Sequence, residues 1–148
     1  MTPTSDFKIA IVSSDFWQDI VTNLEIACVD TLSENGINKN QIDMFRVPGS
    51  LEIPLMAKKL AQKESYDAII VFGAIHKGKT YHFELIANEC TRACMDISLQ
   101  FEIPIIYEVL AVYDIADAVE RSTKGSPVNR GVEAAYAALK MISTLKQL

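Results

Sequence analysis

The sequence predicts an α/β protein, a three-layer α/β/α sandwich built on a four-stranded parallel sheet. Three observations carry this. Four apolar runs rich in β-branched residues, beginning at Phe7, Ile42, Tyr66 and Ile103, alternate with segments of helical periodicity. The third run, "YDAIIVFGAI", lacks the polar alternation of a half-exposed strand, as expected of a central strand covered on both faces. Each connection is long enough for the right-handed crossover that parallel strands require.

Taken in order, "FKIAIVS" from Phe7 reads as the first strand. Ile20, Leu24, Ala27, Cys28, Thr31 and Leu32 then recur at helical spacing, and Asn35-Gly36 stops that helix because glycine accepts the left-handed conformation. "IDMFRV" is the second strand, ended by Pro48-Gly49. A second helix runs from about Leu51 to Lys63, with Pro54 in its first turn, where no N–H is needed. After the third strand, a helix spans about Tyr81 to Leu99, with Leu85, Ile86, Ala93 and Ile97 on one side. "IPIIYEVLAV" is the fourth strand, and "DIADAVERS" a short helix capped by Asp114. The last helix follows the turn-rich "TKGSPVNRG" and turns Val132, Ala135, Tyr136, Leu139 and Ile142 inward. The order β-α-β-α-β-α-β-α-α is that of a flavodoxin-like domain. One domain over residues 1–148 is expected, with a disordered segment at 1–6.

Composition narrows the function classes. The 148 residues suffice for one core without staples. A net charge of -5, from 14 basic and 19 acidic residues, argues against non-specific nucleic-acid binding but leaves room for a local cationic pocket. No apolar run is long enough to span a membrane, and "MTPTSDFKIAIV" lacks the pattern of a signal peptide. Cysteines are odd in number, with Cys90 and Cys94 four apart on one helix, so a reducing cytoplasm without a disulfide framework is expected.

In such sheets ligands bind beyond the carboxyl ends of the strands. Four loops therefore matter: Ser13–Trp17, Pro48–Glu52, Gly73–His82 and Ala111–Asp114. Gly78-Lys79-Thr80 sits where a helix begins, so backbone N–H groups, Lys77, Lys79 and the Thr80 hydroxyl suit an anion. Thr80 as a simple cap between solvated lysines fits the same residues. The spacing is not that of a P-loop. His82, in the first helical turn, is placed to exchange protons, or is an ordinary surface histidine. His76 is the weaker candidate, and His76, His82, Cys90 and Cys94 form no tight metal-ligand pattern. Glu52 opens a helix, where it either faces the dipole or takes hydrogen bonds from hydroxyls. Phe16 and Trp17 follow strand one; as successive helical residues, only one of them could stack on a planar ligand. Arg121 and Arg130 offer guanidinium forks for phosphate, or are solvated helix-end cations. A dinucleotide site is disfavoured, because Ser13-Ser14-Asp15-Phe16 stands where a glycine-rich fingerprint belongs.

Three blocks carry a resemblance: "VPGSLEIP", "GAIHKGKTYHFELIANE", and "AVERS" with "NRGVEAAYAAL". In order and spacing, from about Phe7 to the C-terminus, the chain resembles the 6,7-dimethyl-8-ribityllumazine synthase family of riboflavin biosynthesis. The resemblance implies condensation of 5-amino-6-(D-ribitylamino)uracil with 3,4-dihydroxy-2-butanone 4-phosphate, releasing phosphate and water, with no metal or organic cofactor. It implies that Phe16 stacks on the pyrimidine and that Ser50, Leu51 and Glu52 bind the ribityl chain. Backbone groups of Ala74, Ile75 and His76 would read the ring edge. Lys79, Thr80 and Arg121 would hold phosphate, and His82 would transfer protons. Tyr107 would come from a neighbouring subunit, and Arg130 stands where the family often has lysine. A homopentamer, or a multiple of pentamers, with sites at subunit interfaces is implied, as is association with riboflavin synthase. A non-catalytic lumazine- or flavin-binding protein of the same fold is the alternative; the retained His82 and Arg121 weigh against it.

The chain departs from the family pattern at several positions. Leu51 replaces an aromatic, Trp17 and His76 occupy Asn-like and apolar positions, and Tyr107 adds a hydroxyl that needs a partner. The loop from Arg121 to Arg130 is about one residue longer and contains Pro127, and the segment before Phe7 is short. Both features bear on whether pentamers build a shell.

Overall fold

The computed structural model describes residues 3–148. Its elements are β1 (Ile9–Ser14), α1 (Gln18–Glu34), β2 (Ile42–Val47), α2 (Ile53–Gln62), β3 (Ala68–His76), α3 (His82–Phe101), β4 (Ile105–Val112), α4 (Ile115–Glu120) and α5 (Arg130–Leu145). All strand pairs are parallel, in the order β2-β1-β3-β4. The chain is therefore the expected three-layer α/β/α sandwich. The strand order reverses between β1 and β3, and that places a crevice beyond their carboxyl ends.

The period of two along β3 divides the core. Ile70 and Phe72 pack with α1 and α5, while Ile69 and Val71 pack with α2 and α3. Phe72 is fully buried, and such a side chain contributes roughly 2–3 kcal/mol. Helix ends follow local chemistry. Gly36 takes φ 92° after α1, and Ile37 N–H returns to the Leu32 carbonyl at 3.0 Å. Asp114 caps α4 by accepting from the Ala116 N–H at 3.0 Å. The second helix, expected from about Leu51, begins at Ile53, and Ser50–Glu52 form a 3-10 turn that leads into it.

Two helix faces differ from expectation. On α5 the buried positions are Gly131, Ala134, Ala135, Ala138 and Ile142, and Tyr136 is 53% exposed. The small residues face α1 because the helices approach too closely for anything larger: a β-carbon on Gly131 would overlap the Leu24 carbonyl oxygen. On α3 the buried residues are Cys90, Cys94 and Ile97, and Leu85 is exposed. Cys28, Cys90 and Cys94 are all free thiols.

At the amino end of the chain, Thr4–Asp6 form a 3-10 turn whose Thr4 carbonyl accepts from Gln41 Nε2 at 2.8 Å. This turn falls within the segment 1–6 for which disorder is expected, and residues 1–2 lie outside the described residues. The amino-terminal end of the sheet is closed by polar contacts. The Lys8 N–H donates to Asp67 at 2.8 Å, and the Tyr66 hydroxyl donates to Asp43 at 2.7 Å. Burial and the Asp43 carboxylate push the Tyr66 phenol up to about 12. The loops after β1, β2 and β3 gather at the opposite end, beyond the carboxyl ends of the strands. No helix of the described residues is long and apolar enough to cross a membrane.

Candidate active site

A cavity of about 300 Å³ opens at that end, lined by Phe16, Trp17, Gly49, Ser50, Leu51, Glu52, Ala74, Ile75, His76, His82 and Ile86. Three loops build it: those after β1, β2 and β3. Eight of the thirteen site residues that the resemblance implies are among its walls.

Its floor is a row of registered strand ends. Ser14 on β1 lies beside Val47 on β2, and Gly73 on β3 beside Val109 on β4. Space at Gly73 is tight: a β-carbon there would stand 2.9 Å from Ser50 Oγ and 3.0 Å from Ser14 Oγ. Ser14 Oγ is buried without a partner. Gly49 is held as closely, because a β-carbon would reach 3.2 Å from Glu52 Oε1 and 3.5 Å from the Phe16 ring. An aromatic face and a carboxylate thus meet over one glycine. Phe16 is 67% exposed, so its ring face is available to a ligand.

The aromatic pair corrects one expectation. Trp17 adopts φ 56° and ψ 53°, the left-handed region, immediately before α1. Phe16 and Trp17 are therefore not successive helical residues, and both reach the cavity. Trp17 meets the His76 ring edge-on, with centroids 6.2 Å apart and planes at 87°. His76 lies 3.1 Å from the Tyr113 carbonyl, which can only accept, so Nε2 carries the proton. His76 is exposed and is among the cavity's lining residues, with its ring against that of Trp17.

His82 begins α3 and is exposed at the cavity rim, its N–H 3.4 Å from Thr80 Oγ1. Ile86, one turn further along that face, completes the wall; the i, i+4 spacing from His82 is the signal that could have found it. The loop Gly78–Thr80 is exposed and adjoins His82. Lys77 is committed to Glu84, at 2.9 Å, and to the Tyr113 ring, at 5.5 Å. That pairing holds the Glu84 carboxyl below its usual range.

Five expected residues are not among the cavity walls: Lys79, Thr80, Tyr107, Arg121 and Arg130. Tyr107 lies on β4, 2.9 Å from Thr91 Oγ1, the hydroxyl partner the sequence left open. Arg121 ends α4 and donates to the Asp117 carbonyl at 3.1 Å, so it also does the work of a helix-end cation. Arg130 begins α5, 2.8 Å from Glu133, and its N–H donates to the Arg121 carbonyl at 2.8 Å. The two arginines are thereby joined at one surface beside β4. Nearby Glu108 is half-buried, and desolvation lifts its carboxyl to about 7, with Arg130 opposing and Glu133 adding to the shift.

Fold and cavity together define a doubly wound α/β protein with a cavity at the sheet's switch point. The model of the 6,7-dimethyl-8-ribityllumazine synthase family matches residues 6–146. A relative from Ruthia magnifica subsp. Calyptogena magnifica named 6,7-dimethyl-8-ribityllumazine synthase is 41% identical over 146 residues, spanning 95% of this chain and 87% of that protein. The chain belongs to the 6,7-dimethyl-8-ribityllumazine synthase family, transferases of riboflavin biosynthesis.

Proposed function

We propose that this chain condenses 5-amino-6-(D-ribitylamino)uracil with 3,4-dihydroxy-2-butanone 4-phosphate. The observation that carries the proposal is the convergence of Phe16, Ser50, Glu52, Ala74–His76 and His82 on one cavity. The Phe16 face suits a pyrimidine ring, and the strand end at Ala74–His76 offers backbone groups to its edge. Ser50 and Glu52 suit the hydroxyls of a ribityl chain. Lys79 and Thr80, at the entry to α3, suit the phosphate, favoured by the positive helix end.

In this mechanism the ring amine attacks the butanone carbonyl and expels water to form a Schiff base. Elimination of phosphate then leaves an enol at the neighbouring hydroxyl-bearing carbon, which tautomerises to a new ketone, and attack by the ribitylamino nitrogen on that carbonyl closes the second ring with loss of another water. His82 moves protons at these steps, and Arg121 stabilises the departing phosphate. Holding two substrates in register supplies much of the rate.

The separation of Tyr107, Arg121 and Arg130 from the cavity supports a site completed by a second copy of the chain. Apolar side chains left in solvent support the same assembly: Leu55 on α2, and Leu85, Met95 and Leu99 on α3, are all exposed. A homopentamer in the cytoplasm is the proposed state, with riboflavin synthase as a proposed partner. Sedimentation velocity tests the assembly, and an active monomer would contradict an interface site.

The decisive experiment mixes purified protein with both substrates and follows lumazine fluorescence. Acceleration above the spontaneous condensation is expected. Its absence would sink the enzymatic proposal, and tight product binding without turnover would favour a carrier.

A further inference from the structure

Trp17 is the chain's one tryptophan, and it stands in a backbone conformation that favours glycine or asparagine, at φ 56° and ψ 53°. Its indole remains 45% exposed, so little core packing accounts for its presence. Strained backbone of this kind persists where surrounding structure over-determines it, and it gathers at ligand clamps. Here the left-handed residue reorients the chain between Phe16 and α1, and both residues line the one cavity.

The indole does not hang free. It meets His76 edge-to-face at 6.2 Å, and His76 Nε2 donates to the Tyr113 carbonyl at 3.1 Å. The Tyr113 ring packs on Phe83 at 5.8 Å and lies under Lys77 Nζ at 5.5 Å, while Lys77 is bound to Glu84 at 2.9 Å. The loops after β1, β3 and β4 and the first turn of α3 are thus braced through one chain of contacts. Its exposed end is the Trp17–His76 wall.

We propose that Trp17 is a specificity-determining residue of the heterocycle site, acting with His76 as a second aromatic wall beside the Phe16 ring. This role rests on the assignment of the cavity to the ribitylaminouracil substrate. The wall bounds the slot sideways, so that a flat nitrogen heterocycle stacked on Phe16 stays in register with the Ala74–His76 backbone. It acts on the heterocycle and not on the phosphate substrate, whose proposed partners Lys79, Thr80 and Arg121 lie outside the cavity walls.

The test measures the KM of each substrate separately for wild type, Trp17→Gly, Trp17→Phe, His76→Leu and the Trp17→Gly/His76→Leu double variant, with melting temperatures alongside. Glycine accepts the left-handed backbone, so Trp17→Gly removes the ring without imposing strain. Trp17→Gly is expected to raise the KM for ribitylaminouracil by about fivefold, the scale of one lost aromatic contact. Its KM for the butanone phosphate should stay within about twofold of wild type, and its melting temperature should not fall. Trp17→Phe should recover most of the affinity, and the double variant should be no worse than Trp17→Gly, since the two rings act as one wall. An unchanged KM for the heterocycle in Trp17→Gly, or equal losses for both substrates with a lowered melting temperature, overturns the proposal. Absence of turnover in the wild type would instead remove the substrate assignment. Trp17 is then judged by the fluorescence anisotropy of bound 6,7-dimethyl-8-ribityllumazine, and equal affinity in wild type and Trp17→Gly overturns its role.

Discussion

Gly73 and Ser50 face each other across the cavity floor with no space for a methyl group: a β-carbon on Gly73 would stand 2.9 Å from Ser50 Oγ. Ser14 Oγ, at 3.0 Å, and Val109 Cγ1, at 3.2 Å, block the other directions. Gly73→Ala must therefore move the Ser50 hydroxyl, which belongs to the 3-10 turn that carries Glu52. The expected stability loss is about 1–3 kcal/mol, as for other overpacked sites. The KM for ribitylaminouracil should rise as well. Urea denaturation and substrate titration check the two effects, and an unperturbed KM would show that Glu52 is held independently of Ser50.

His82→Ala should lower kcat by only about tenfold, because orientation of the two substrates survives the loss of the proton carrier. Arg121→Ala should raise the KM for the butanone phosphate and leave that for the pyrimidine nearly unchanged. Steady-state fluorescence assays at varied concentrations of each substrate separate these outcomes. An unchanged phosphate KM would remove Arg121 from that role and leave it as the C-terminal cation of α4.

Glu108 makes stability depend on pH. Burial lifts its folded carboxyl to about 7, above the ~4.3 of an unfolded chain. The folded state therefore binds the extra proton between these values, and the stability it contributes is lost as pH rises through about 7. Glu108→Gln removes the titration. Because the side chain is half-exposed and screened by solvent, the gain at pH 8 should be about 1 kcal/mol, far below the full shift. Urea melts at pH 5 and pH 8 provide the check: the advantage of Glu108→Gln should be small at pH 5 and larger at pH 8. An equal advantage at both would deny the titration.

Gly131→Ala sets helix propensity against packing. Alanine is favoured over glycine by about 1 kcal/mol in a helix interior, and by less at Gly131, the second residue of α5. At this position, however, its β-carbon would overlap the Leu24 carbonyl oxygen, which belongs to backbone and cannot rotate away. Separation of α5 from α1 should win, with a net loss of about 2 kcal/mol. A thermal melt above that of the wild type would show that the two helices part at little cost.

The order of strands and helices was legible from residues 7 to 148 because it rests on local rules. A strand shows as the apolar run "IDMFRV", which is β2 itself, a helix stop as Asn35-Gly36, and a cap as Asp114. Parallel crossovers then leave few topologies, and the binding end of the sheet follows. The walls of the cavity at Ser50–Glu52 and Ala74–His76 were legible for the same reason, since they terminate recognisable strands. What only tertiary structure decided were matters of close approach and of single dihedrals. The inward face of α5 is a stripe of small residues because α1 passes too near for Tyr136, and no periodicity records that distance. Trp17 reaches the cavity because one residue adopts positive φ, which the strand-then-helix pattern does not foretell. Arg121 and Arg130 come together beside β4, apart from the cavity, because the Arg130 N–H bonds the Arg121 carbonyl across a loop. Pattern along a chain records which residues share a face; how near that face comes to another is set by side-chain volumes meeting from distant parts of the sequence.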